Sequence, residues 1–324
     1  MKIIQPSVEI FGNPHENQIQ HIEKVARLCY KSESAITEGS ASRMVVTLIR
    51  NKHLAMIEHG VFVLEVNDVV YGEIESFEHP YINISETYVT YDPFSPRYIV
   101  SGSARGFIER FAENPMSYIP IIRYLANDFP ELFMPTITAS VNAEAFKEYD
   151  VWIRDCGFED KVRLMSCQEI SELTNEEKLL HRHTSVKFVT DRGVSHEIVR
   201  HRPASYAQES SRYVNYSNGK HGSEITVIEP FFFEKGTKDY IAWEYMMSCA
   251  ENTYMQMIER GRTPQEARSV LPNSLKTEIV MTANDAEWLH FFELRDDSHA
   301  HPSMVQVSHP LHQMFRDNYP ENFK

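Results

Sequence analysis

Two runs of β-branched and aromatic residues, Gly60 to Val66 (GVFVLEV) and Thr184 to Thr190 (TSVKFVT), read as strands. The residues from Asn67 to Arg182 stand between them. A sheet that uses both strands must let a long piece of chain leave and return. Helical spacing surrounds them: Ile19, Ile22, Val25, Ala26 and Cys29 share one face, and Met44, Val45, Leu48 and Ile49 repeat the pattern. The expectation is an α+β fold, with helices packed on a mainly antiparallel sheet and a large, partly helical insertion, Asn67 to Arg182, between two of its strands. Within the insertion, ARGFIERF and YIPIIRYLANDFPELF keep apolar side chains recurring, and no low-complexity run appears, so a folded segment is predicted.

Punctuation is clearest in the C-terminal half. Trp243, Met247, Ala250, Tyr254 and Met257 mark one face of a long helix that stops at Gly261. The next helix opens with Thr263 as cap, Pro264 in its first turn and Glu266 as capping-box partner. Asn284 and Glu287 form a similar start for NDAEWLHFFELR, where Trp288, Phe292 and Arg295 are spaced to share a face. Arg295 would leave the end of a packed helix.

Composition narrows the function. With 46 acidic and 32 basic residues the net charge is −14, which argues against coating nucleic acid or an anionic membrane through the overall field. No apolar run approaches the roughly 18 residues a membrane span needs, and the start MKIIQPSVEIFGN has no apolar core behind a basic end, so a cytoplasmic protein is the default expectation. Cys29, Cys156, Cys167 and Cys249 are far apart and form no C-x-x-C pair, which suggests neither a disulfide framework nor a cysteine-rich zinc site.

Against this acidic background, Arg200 to Tyr213 (RHRPASYAQESSRY) reverses the local sign. It sets Arg200, His201, Arg202 and Arg212 around Ser205, Gln208, Ser210 and Ser211, and is expected on a helix and the turn after it. Arginine offers a planar fork of donors suited to phosphate or a pyrimidine edge, and the serines and Gln208 add short polar groups. Such a set could hold a nucleotide phosphate at one end and a base at the other. An isolated R-H-R triplet reads as a solvated helix face, whereas here a serine follows after seven residues and an arginine two positions later.

That pattern resembles the signature of the flavin-dependent thymidylate synthases. HLAMIEHGVFVLEV upstream, and EARSVLP, TANDAEWLHFFELR and DSHA downstream, resemble other segments of that family in the same order. The resemblance covers roughly residues 1–66 and 184–324 and implies one domain over 1–324, with 67–182 an insertion of unknown role. It implies FAD as cofactor, NADPH and methylenetetrahydrofolate as co-substrates, methylation of dUMP to dTMP, and a homotetramer with active sites at subunit junctions. It puts His53, Glu58, Arg200, His201, Arg202, Asn284 and His290 on the flavin side. Glu197, Arg200, Gln208, Ser210, Ser211, Arg212, Arg268 and Arg295 fall on the dUMP side. Arg295, at the uracil edge, is the residue it makes catalytic, where a cation would stabilise charge developing on the ring. Ala55, Glu197 and Ala207 depart from the family pattern, where a hydroxyl residue, a glutamine and an asparagine are common, and AHPSM replaces the usual Ala-Gln run.

Local readings stand beside these. Arg268 could cap or pair on its own helix, Asn284 is a plausible N-cap, and Glu58 an ordinary partner for His53 or His59. Two other functions stay open. His299, His301, His309 and His312 crowd one segment, as in a metal-dependent enzyme, but fit no metal-ligand spacing, and Pro302 and Pro310 are expected to break the helix that would align two of them, so no metal ligand is assigned. Arginine and tyrosine interleaved from Arg200 to Tyr216 suggest a nucleic-acid-binding module, which the acidic whole opposes.

Overall fold

The computed structural model describes residues 1–74, 80–89, 92–138, 143–156, 161–211, 214–217 and 223–324. Its strands are β1 Lys2–Ile4, β2 Ser7–Gly12, β3 Val61–Val66, β4 Ile82–Val89, β5 Asp92–Ser103, β6 Val162–Leu164, β7 His183–Asp191, β8 Ser205–Gln208, β9 Thr226–Ile228 and β10 Lys276–Asn284. Two four-stranded antiparallel sheets result, ordered β2-β7-β10-β8 and β4-β5-β3-β6, with β1 and β9 forming a parallel pair. The fold is α+β, and both larger sheets are antiparallel.

The two strands read first from sequence lie in different sheets, which corrects the expectation of a single sheet interrupted by Asn67–Arg182. Val61 to Val66 is buried on nearly every residue, so both its edges and both its faces need cover. Its neighbours β5 and β6 both come from the later segment, with Leu64 opposite Val100 on one side and Leu164 on the other. Phe107, Phe111, Tyr118, Ile122 and Phe133 of that segment share one core with Ile22, Val45, Leu48 and Phe62 from before it.

The other sheet carries helices on both faces. β10 is the reason: from Ile279 to Asn284 every residue is buried. Ile279, Met281 and Ala283 pack against Trp288, Phe291 and Phe292 of helix Asp285–Arg295 and against Met304, Val307, Leu311 and Phe315 of helix Pro302–Asn318. Val280 joins Ala207 and Phe11 under Val25, Leu28 and Cys29 of helix Gln18–Tyr30. Helix Pro302–Asn318 runs through Pro310, correcting the expected break. Pro302 occupies the first turn, where its missing N–H costs nothing, and the four apolar anchors hold the rest in place despite Pro310. The cap at Thr263 with Glu266 forms as expected, as does the cap at Asn284.

Candidate active site

The arginine motif begins where helix Arg192–Ile198 ends. Asp191 Oδ1 accepts from the Val194 amide at 2.7 Å and starts that helix, which closes at Val199. Arg200 and Arg202 are exposed in the following turn, while His201 between them is buried. Arg202 Nη1 lies 3.5 Å from the Tyr81 hydroxyl, and its guanidinium lies 5.4 Å from the Tyr206 ring centre. The chain then enters β8, which sequence reading had not separated from the turn. Strand alternation buries Ser205 and Ala207 and leaves Tyr206 and Gln208 half-buried. Arg212 and Tyr213 lie outside the described residues.

The far end of β8 forms one wall of a cleft of about 700 Å³, lined by Cys29, Tyr30, His53, Ala55, Met56, Gln208 and Ser210. His53, distant in sequence from Gln208 and Ser210, therefore meets them on one surface. Tyr30 sets the His53 ring, its hydroxyl 3.0 Å from Nδ1. Gln208 Nε2 donates to Ser195 Oγ at 2.9 Å and Thr277 Oγ1 at 3.2 Å. Ser211 is buried and accepts from Arg192 Nη2 at 2.7 Å, so this hydroxyl serves a protein partner. Burial pushes the Cys29 thiol up to about 12, which keeps it protonated and poor as a nucleophile. Next to Ser210, buried Glu209 takes Lys276 at 3.0 Å, and Glu278 pairs with Lys31 at 2.6 Å.

A second cluster gathers around Arg295, the last residue of its helix. Its Nε donates to His201 Nε2 at 3.0 Å, Nη1 to Glu197 Oε2 at 2.7 Å, and Nη2 to the Glu197 carbonyl at 3.4 Å. Glu197 thus holds the fork expected at the uracil edge. His201 Nδ1 faces Glu287 Oε1 at 3.5 Å, and the His290 ring, exposed, stands edge-on with its centre 5.6 Å from that of His201. His201, Glu287 and His290 could offer a cation three ligand atoms within 4.8 Å of one another. The Arg295 bond opposes that use: an arginine N–H can only donate, so Nε2 keeps its lone pair and the neutral ring carries its proton on Nδ1, the nitrogen a metal would need bare.

Glu58 and Asn284 line a narrower pocket with Tyr81, Ser103, Ser205 and Thr282. Burial raises the Glu58 carboxyl, partly offset by Arg105, whose Nη1 donates to it at 2.6 Å. The local reading that paired Glu58 with His53 or His59 is corrected: its partner comes from helix Ala104–Glu113. Asn284 is spent locally, Oδ1 accepting from the Glu287 amide at 3.0 Å and Nδ2 donating to the Leu180 carbonyl at 3.3 Å. Arg268 is exposed in a 3-10 turn, Arg268–Val270, and is not among the residues lining the cleft.

The four C-terminal histidines do not converge. His309 and His312 both face Asp296, at 3.1 and 2.7 Å, His299 faces Asp297, and His301 caps its helix. Sequence reasoning missed Tyr81, in the turn before β4, and Arg105, whose signal was the helical piece ARGFIERF. It also missed Glu287 as more than a cap residue, because its facing partner is 86 positions away.

A sequence profile described as thymidylate synthase complementing protein matches residues 167–321, which include the motif, β10 and the Arg295 helix. Over these residues, a little under half of the chain, the protein is similar to that family. Among curated relatives, a protein of Geobacter sulfurreducens named flavin-dependent thymidylate synthase is 33% identical over 141 residues, 43% of this chain and 55% of the relative. One of the same name from Pyrococcus furiosus is 38% identical over 101 residues, 31% and 41% of the two chains. A third, from Sulfurisphaera tokodaii, is 29% identical over 185 residues, 55% and 62%. The chain therefore spans about half the length of the curated relatives it matches. His53 and Glu58 precede the stretch the family profile covers.

Proposed function

We propose that the protein binds FAD and methylates dUMP to dTMP, with methylenetetrahydrofolate as carbon donor and NADPH as reductant. The reaction balances as dUMP, methylenetetrahydrofolate, NADPH and a proton giving dTMP, tetrahydrofolate and NADP⁺. The observation that carries this reading is the cleft at the end of β8, where Gln208 and Ser210 of the motif face the same space as His53.

The cleft suits a flavin ring. Its volume falls in the range of ligand pockets, Cys29, Ala55 and Met56 give apolar cover, and His53, Gln208 and Ser210 place a few polar atoms at its edge. Exposed Arg200 and Arg202, in the turn before β8, offer charge to phosphates. Bound flavin would supply the redox chemistry, and the protein would supply position and electrostatics. Ser210 and Gln208 would orient the nucleotide, and Arg295 would stabilise negative charge as it grows on the uracil ring. For that, the substrate edge must share the Arg295 fork with Glu197, whose carboxylate holds it in this structure. A homotetramer in the cytoplasm belongs to the same reading. Among the described residues no helix is long and apolar enough to cross a membrane.

Purified protein should show the absorption of bound FAD through gel filtration and form dTMP from dUMP only when methylenetetrahydrofolate and NADPH are both present. Protein that cannot take up FAD, or that forms dTMP without the folate, would overturn the reading.

A further inference from the structure

We propose that Glu287 is a positioning residue for Arg295, acting through the His201 ring. The inference rests on the reading above that Arg295 meets the uracil edge. Its first support is the direction of one hydrogen bond. Because Arg295 Nε must donate, His201 Nε2 accepts, and the imidazole proton sits on Nδ1.

That proton is aimed at Glu287. The ring is 2% exposed and the carboxylate residue 6%, and among the described residues neither His201 Nδ1 nor Glu287 Oε1 has a hydrogen-bond partner. They face each other across 3.5 Å, about half an ångström longer than a usual bond between nitrogen and oxygen. Two buried polar atoms without partners carry a penalty that a small shift of the ring would remove for both. The rest of the ring is already fixed. The Tyr206 hydroxyl stands 2.7 Å from the His201 carbonyl oxygen, Phe291 packs 4.9 Å from the imidazole centre, and Arg295 holds the opposite nitrogen.

The alternative use of this cluster, a cation bound by His201, Glu287 and His290, needs Nδ1 bare. It would also set a second positive charge beside the Arg295 guanidinium. The geometry therefore assigns Glu287 to orientation: it accepts from Nδ1–H, holds one tautomer and one ring plane, and so keeps Nε2 where Arg295 needs it. An imidazole held by carboxylate on one nitrogen and by its working partner on the other is a common way of fixing both tautomer and direction.

The test uses the full-length protein labelled with ¹⁵N-histidine, with Glu287→Gln and Glu287→Leu variants. Nitrogen spectra should place the His201 proton on Nδ1 in the unaltered protein and in Glu287→Gln, which keeps an acceptor oxygen. In Glu287→Leu the signals should split or broaden as the ring loses its fixed plane. With saturating FAD, kcat should fall on the order of tenfold to a hundredfold in Glu287→Leu, with KM for dUMP within about twofold, while Glu287→Gln recovers most of the rate. A His201 proton on Nε2 in the unaltered protein, an unchanged signal in Glu287→Leu, or stoichiometric metal at the cluster would overturn the proposal. If Glu287→Leu does not fold, the tautomer of the unaltered protein and the Glu287→Gln rate decide it. Should the unaltered protein make no dTMP, the proposed function fails, yet the nitrogen spectra still judge the Glu287 contact independently.

Discussion

Each guanidinium nitrogen of Arg295 makes one bond to a protein group, Nε to His201 and Nη1 and Nη2 to Glu197, which leaves a second N–H on each Nη. Such a fork is oriented before any substrate arrives, so little reorganisation remains at the moment of reaction. Arg295→Ala should therefore lower turnover more than it weakens dUMP binding, by roughly 3 kcal/mol of transition-state stabilisation, the scale of one lost oxyanion donor. That is on the order of a hundredfold in rate. Arg295→Lys should recover only part, since a point charge cannot make the bonds to Glu197 and His201 together. Steady-state kinetics at saturating dUMP, with flavin content measured on the same samples, check this, and near-normal turnover in Arg295→Ala would reduce the residue to a helix-end charge. Sequence alone placed Arg295 at a helix end but could not reveal its partners, because Glu197 and His201 approach through space from an element nearly a hundred positions earlier.

At the level of elements, caps and periodic faces were the legible part. The helices at Gln18–Tyr30, Ser40–Arg50, Lys238–Glu259 and Asp285–Arg295 follow from apolar spacing and from the residues that start and stop them. β8 and β10 escaped notice for opposite reasons. The first is four residues inside a polar motif, and the second is buried on both faces, so its apolar run has no period to distinguish it from the helix it precedes. The Arg295 helix also gives a test of its own beginning. Asn284→Ala removes the acceptor for the Glu287 amide and should cost about 1 kcal/mol in denaturant unfolding, whereas Asn284→Ser should regain most of it. Equal stability in all three proteins would show that packing of Trp288, Phe291 and Phe292, not the cap, decides where this helix starts.

Across the whole molecule, the acidic surplus is managed by a few paired sites. Burial alone would raise the Glu278 carboxyl, but Lys276 and Lys31 overcome it and bring it down to about 2. A carboxyl depressed in the folded state contributes stability that is complete above its unfolded value, about 4.5, and is lost as pH falls through about 2. Melting temperature should thus hold down to about pH 5 and decline steadily below it, and Glu278→Gln should flatten that decline. A Glu278→Gln protein with an unchanged acid profile would assign the loss to other carboxylates. The pairing of β1 with β9, and of β2 with β7, has a further consequence in time. Residues 2–12 are synthesised well before their partner strands at 183–191 and 226–228. At the usual 5–20 residues per second, that leaves β1 and β2 without their partners for on the order of ten seconds or more, the interval in which a nascent chain most needs a chaperone.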